Sequence, residues 1–145
     1  MRPRLVGIVL ICAAAPLFAQ PSKTYKARLA PVPIDVSMQD KIAGLGSVTA
    51  TRAGTKLTIS GTFDGLRSPA TIAQLHRSPA TGVRGPVVAD LVVAKGTSGS
   101  ISGTIDLTPA LSSDLDKGHL YVQLHSEGAP DGNLWGWLLT PENKR

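Results

Sequence analysis

The sequence holds one cysteine, Cys12, and it lies within the first nineteen residues. Past that point there is no thiol, which excludes disulfides, thiol catalysis and cysteine metal ligands for the rest of the chain. A domain without such staples must rely on its core, and residues 20–145 are enough for one domain of ordinary size. Basic runs are also missing: lysines and arginines are scattered from Lys23 to Arg145. Nucleic-acid binding shows a basic stripe with aromatic interleaving, so that class is set aside. No serine sits in the GxSxG turn that presents a nucleophile. The ten acids fall mostly in turns, with no pair in an apolar setting for glycoside hydrolysis. No internal repeat and no alternation of helix with strand is present.

What is there begins with an amino-terminal signal. Arg2 and Arg4 precede an apolar run over residues 5–15, then Pro16-Leu17-Phe18-Ala19. A basic start, a short apolar segment and a small residue at the cut describe a secretory signal peptide over residues 1–19. An uncleaved membrane anchor is the competing reading, but the run is about half of the roughly 20 residues that span a bilayer. Ile11 stands where a lipidated cysteine requires a small residue, so lipidation is rejected. No apolar run of that kind recurs after Met38, and no transmembrane span is expected after cleavage. The expected mature form is a single exported domain, periplasmic or extracellular. Its net charge falls from +5 to +3 when Arg2 and Arg4 leave.

Period-two alternation, the signature of half-buried strands, recurs through the remainder. Residues 24–29 set Tyr25, Ala27 and Leu29 against Lys26 and Arg28, as in an edge strand with a charged outer row. Residues 44–52 and 56–63 form the clearest hairpin, around Ala53-Gly54-Thr55. Strands follow at 71–76, 87–93 and 100–107, the second of them so nearly continuously apolar that it reads as buried on both sides or nearly so. One short helix is expected at 109–117, with Thr108 as N-cap, Pro109 at the first helical position and Gly118 ending it. About eight short strands spaced roughly 8–12 residues apart describe an all-β sandwich or barrel.

The densest stretch is 119–138. Leu120, Val122 and Leu124 share one face, and His119, Tyr121, Gln123 and His125 the other. Residues 126–132 carry turn chemistry in Gly128, Pro130, Asp131 and Gly132, and a last strand runs over 133–139. There Leu134, Gly136 and Leu138 supply an inward face. Trp135 and Trp137 lie opposite, either as an apolar patch for a protein or carbohydrate partner or a membrane surface, or as filling for a strand covered on both sides.

Three segments in order resemble the CHRD domain, the chordin-type repeat found also in secreted bacterial proteins. Ala73-Gln74-Leu75-His76 with Gly82-Val83-Arg84-Gly85-Pro86-Val87-Val88 is similar to its AHIHxGxxGxxGPVV segment. Gly118-His119-Leu120-Tyr121-Val122-Gln123-Leu124-His125-Ser126 is similar to GxLYVNVHT, and Pro130 to Leu138 to PGGEIRGQL. The resemblance covers nearly the whole mature chain. It implies an antiparallel Greek-key β-sandwich, immunoglobulin-like or superoxide-dismutase-like, and export; it implies little about activity. The chain departs from the pattern at Gln74, where the first histidine of HxH stands, and at Asn133 and Trp135, where a glutamate and an arginine stand. His119 replaces a small polar residue.

Two imidazoles two apart on a strand can chelate copper or zinc. Here His76 and His125, with Gln74, Tyr121 or His119, are the candidate ligands. The competing reading makes His76 and His125 structural, each bonded to loop backbone, and His119 an exposed bystander. Ser126 or Ser78 with a histidine and Asp131 or Glu127 offers the residue types of a triad, which spacing cannot assemble. The expected function is therefore a non-enzymatic binding module with no catalytic residues and no cofactor. A copper- or zinc-binding protein is the alternative.

Overall fold

The computed structural model describes residues 19–144. The expected signal peptide lies outside the described residues, apart from Ala19. The elements are β1 (Ser22–Pro31), β2 (Leu45–Ala53), β3 (Lys56–Asp64), β4 (Ala70–Arg77), β5 (Val87–Val93), β6 (Gly99–Asp106), α1 (Pro109–Asp116), β7 (Leu120–Ser126) and β8 (Ala129–Trp137), with 3-10 turns at Val36–Met38 and Pro141–Lys144. No helix among the described residues is long and apolar enough to cross a membrane.

All strand pairs are antiparallel, and they close into a barrel in the order β1-β2-β3-β6-β5-β4-β7-β8. Closure corrects the expected sandwich. Two strands change partners along their length. β1 pairs with β2 from Ser22 to Leu29, then with β8 at Ala30 and Pro31. β5 pairs with β4 as far as Leu91 and with β6 at Val92 and Val93. These two strands join what would otherwise be separate layers. An inward aliphatic row is common to sandwich and barrel, so alternation could not decide between them.

The interior is filled by that row. Leu29, Leu57, Ile59, Leu75, Ile101, Leu120, Leu124, Leu134 and Leu138 are all buried. Each such side chain contributes roughly 1.5–3 kcal/mol of burial. Gly61 and Gly136 let backbones approach: a Cβ at Gly61 would stand 2.3 Å from Ser47 O, and one at Gly136 2.4 Å from Arg28 O.

Helix α1 seals the core with Leu115. Thr108 Oγ1 caps it by accepting from Leu111 N at 3.2 Å, and Gly118 ends it with φ at 75°, as the residue types require. Its last residue holds it to the barrel. Asp116 accepts from Tyr25 OH (2.6 Å), Lys23 Nζ (2.9 Å) and Arg52 Nη1 (3.1 Å). Partial desolvation pushes Asp116 upward, but these bonds outweigh it and hold the carboxyl at about 2. The Tyr25 phenol is pushed up, by burial first and then by its bond to Asp116.

Three local expectations are corrected. β1 has partners on both sides, so its charged outer row does not mark an edge. β5 is not buried on both sides: Val87 is 50% and Val92 72% exposed, and only Leu91 is buried along the strand. A strand crossing the seam between two partners keeps an apolar composition without a cover. The β7–β8 connection is not a long loop. Ser126 pairs with Ala129, leaving Glu127 and Gly128 as the turn. Pro130, Asp131 and Gly132 belong to β8, where the register shifts between Leu124 and Ser126. Proline cannot donate to a ladder and Gly132 has φ at 133°, so these residues shape an irregular strand start rather than a bend.

Candidate functional site

The outer face of β4, β7 and β8 gathers nearly every residue singled out above. Since Leu120, Val122 and Leu124 enter the core, Tyr121, Gln123 and His125 point outward. Register then fixes their neighbours. Tyr121 stands between His76 and Trp137, and Gln123 between Gln74 and Trp135. The first rung is a ring stack across three strands: Trp137 on Tyr121 at 4.8 Å and Tyr121 on His76 at 4.8 Å. Trp135 meets the stack edge-on, 4.7 Å from Trp137 and 6.1 Å from Tyr121.

The chain covers much of this face itself. Residues 78–86 fold over the stack. Ser78 Oγ accepts from Trp137 Nε1 (3.2 Å) and donates to Ala80 O (2.7 Å). Gly85 N donates to Tyr121 OH (3.1 Å), which donates to Gly85 O (3.3 Å). Arg84 places its guanidinium 5.6 Å from the Trp135 ring centroid and donates to Asp131 O at 2.9 Å. On the other side Trp135 packs with Met38 against Val32, Ile42 and Ala129. Trp137 is thus buried and Trp135 half-buried. Alternation put both outward correctly, but it could not show the segments that fold back over them.

The histidines lie on this face, two rungs apart. His76 is opposite Tyr121 and His125 opposite Ile72, with Gln74 and Gln123 between, a separation of roughly 13 Å along β7. Each ring is fixed by a backbone carbonyl, one in the loop before β5 and one at the start of β8. His76 Nδ1 donates to Gly85 O at 3.0 Å, and His125 Nδ1 to Pro130 O at 2.8 Å. A carbonyl can only accept, so both rings carry the proton on Nδ1. His76 Nε2 is buried with no hydrogen-bond partner among the described residues. Burial pushes the His76 imidazole down, against the raising effect of Gly85 O; His125 and Arg84 nearby lower it further. His125 Nε2 lies 3.4 Å from Gln123 Nε2, which donates to Asp131 O. Gln74 donates to Asp90 Oδ1 at 2.8 Å. Among the described residues no three His, Cys, Asp or Glu side chains gather as a metal set.

His119 is elsewhere, half-buried just before β7, with Nδ1 3.9 Å from Asp114 Oδ1. Asp114 in turn meets Arg77 Nε at 2.6 Å. The two serines considered for a triad are engaged otherwise: Ser126 Oγ accepts from Asn133 Nδ2 at 2.8 Å, and Ser78 bonds Trp137 and Ala80. Glu127 sits exposed in the β7–β8 turn.

Beside the tryptophans runs an open groove of about 310 Å³, along the seam between β8 and β1, lined by Lys26, Arg28, Trp135, Gly136, Trp137 and Leu139 among others. Ala30 is level with Trp135 and Lys26 with Leu139, which sets Arg28 level with Trp137. A second hollow of about 280 Å³ shares Lys26 and Leu139 and extends the groove toward Pro141. Sequence reasoning missed the two cations here. Their outward direction was legible, but the β1–β8 pairing that sets them beside tryptophan was not.

The family model for the CHRD domain matches residues 27–138. The chain belongs to the CHRD domain family. Comparison with curated proteins and with solved structures returns no match. In this CHRD domain Gln74, Trp135 and Asn133, three of the four departures from the resembled motifs, lie along the β4–β7–β8 sheet, and His119 lies apart from them. Gln74 and Trp135 fall in one rung, either side of Gln123, and Asn133 is buried next along β8, bonded to Ser126.

Proposed function

We propose that this CHRD domain is an exported, non-enzymatic binding module, periplasmic or extracellular, that recognises a protein or carbohydrate partner through the outer face of β8 and β1. The observation that carries the reading is the groove in which Trp135 and Trp137 stand beside Lys26 and Arg28. Large aromatic side chains at a concave, partly exposed surface with nearby cations are the composition of recognition sites. The Ser78 and Ser126 hydroxyls and the Nδ1 atoms of His76 and His125 are taken up by structural hydrogen bonds, which favours binding over turnover. The test is a glycan and peptide array probed with the purified protein, run beside a hydrolase and oxidoreductase panel. Binding that weakens in Trp135→Ala, without turnover, is expected. Turnover of any panel substrate, or array binding indifferent to Trp135, sinks the reading.

A second reading, copper or zinc binding by His76 and His125, has one observation in its favour. Both rings donate Nδ1–H to a backbone carbonyl, the arrangement that orients histidine Nε2 toward a metal. The two-rung separation weighs against a shared ion, since metal–nitrogen bonds are about 2.0–2.1 Å. Titration with Cu(I), Cu(II) and Zn(II) decides it: affinity unchanged in His76→Ala and in His125→Ala removes it.

A further inference from the structure

The composition of the β1–β8 groove narrows the ligand class, on the assumption that the groove is the recognition surface just proposed. Lys26 and Arg28 are exposed and two apart on one strand face, so their side chains leave β1 roughly 7 Å from each other. Neither makes a side-chain hydrogen bond or ion pair among the described residues, whereas Lys23 on the same strand and Arg52 on the neighbouring β2 are both taken by Asp116. Arg84 adds a third cation beside Trp135, its guanidinium 5.6 Å from the ring centroid and only Nη1 used in its bond to Asp131 O. Glu142, the acid beyond Pro141, is exposed at the opposite end; the Thr140 hydroxyl and its own backbone hold its carboxyl low.

The floor differs from the walls. Half-buried Trp135 and one edge of the buried Trp137 form it. With the adjoining hollow the groove follows β1 from Thr24 to Ala30, about 20 Å of strand, which suits a short polymer rather than a single small molecule. A polymer that fits must lay apolar surface on indole while presenting anions at intervals to ammonium and guanidinium groups. A polyuronate does both: each pyranose has a C–H face and carries one carboxylate, which arginine binds in bidentate fashion. Nucleic acid meets the charge condition less well, because three cations fall short of the basic stripe that phosphate backbones require.

We propose that the β1–β8 groove binds an acidic polysaccharide of the polyuronate class, with Lys26, Arg28 and Arg84 on the carboxylates and the half-buried Trp135 under the sugar rings. Isothermal titration of the purified protein tests this with polygalacturonate, with its fully methyl-esterified form, and with single-stranded poly(dT). Expected is binding to polygalacturonate that weakens with salt and falls roughly tenfold or more in the methyl ester, in Trp135→Ala and in a Lys26→Glu/Arg28→Glu double variant, the size of a hot-spot loss. Both substituted positions on β1 are exposed, so the double variant keeps the test alive if Trp135→Ala does not fold, which circular dichroism reports. Absence of polygalacturonate binding overturns the proposal, as does tighter binding of poly(dT) through the same residues. Equal, Trp135-dependent binding of acid and ester overturns the acidic class while leaving the recognition surface standing. Binding that ignores Trp135 and the β1 cations overturns both.

Discussion

The two faces of β7 make an instructive pair. Inside, Leu120, Val122 and Leu124 meet aliphatic neighbours from every side of the barrel; outside, Tyr121, Gln123 and His125 meet rings, amides and loop carbonyls. Both faces are largely buried, by different means. The inner one is closed by other strands, the outer one by residues 78–86 folding over it. Packing inside is non-directional and tolerant of which aliphatic fills a site. Contacts outside are directional, each depending on a named donor and acceptor. Stability is therefore concentrated on one side of the sheet, and positioning of side chains on the other.

Substitutions are the way to break that division. Leu124→Ala removes a fully buried interior side chain and is expected to cost about 2–5 kcal/mol in urea unfolding, with the His76–Tyr121–Trp137 stack unchanged in near-ultraviolet circular dichroism of the folded fraction. Gly61→Ala places a methyl against Ser47 O and Val48; the expected loss is about 1–3 kcal/mol, since backbone must shift to admit it. Tyr121→Phe keeps the stack but removes the hydroxyl that bonds Gly85 both ways. Roughly 0.5–1.5 kcal/mol is expected, together with faster amide exchange at Gly85. An outer-face loss as large as that of Leu124→Ala would erase the contrast.

Acid sharpens it further. His76 has its folded value below the ordinary 6.5, so the unfolded chain binds the proton more readily. Its contribution is present above about 6.5 and drains away as pH falls below that toward the lowered folded value. His76→Gln is expected to flatten the dependence of urea midpoint on pH in that window. Asp116, at about 2 in the folded state against 3.8, acts only below about 3.8, in the same direction. The smallest effect belongs to neither face: Lys56 and Asp106 form an open surface pair at 3.6 Å, and Lys56→Ala is expected to change the midpoint by well under 1 kcal/mol.

Much of the interior was legible because period two is a strong signal and aliphatic rows have one place to go. The helix was legible from Thr108, Pro109 and Gly118, whose backbone preferences are local. What alternation does not carry is partner identity. Whether β1 ends against β2 or turns to β8 depends on how the whole sheet closes, and that distinguishes a barrel from a sandwich. The same limit hid the site: Lys26 and Arg28 are more than a hundred residues from Trp135 in the chain, and no local pattern links them. Turn chemistry misled at Pro130 to Gly132, where residues that usually bend a chain instead start a strand irregularly. The histidines were read correctly as candidates for backbone bonding, and the rung between them was not foreseeable.

Closure of the strand ring has a consequence for the molecule among its own copies. An open sheet ends in a row of free N–H and C=O groups on which a second chain can template itself, and fibrils grow that way. Here β8 returns to β1, so among the described residues the ring has no first or last strand, and the stretches paired on one side only are short. Protection against that route comes from connectivity alone and asks nothing of the surface residues, which leaves β1 free to carry exposed cations for other purposes.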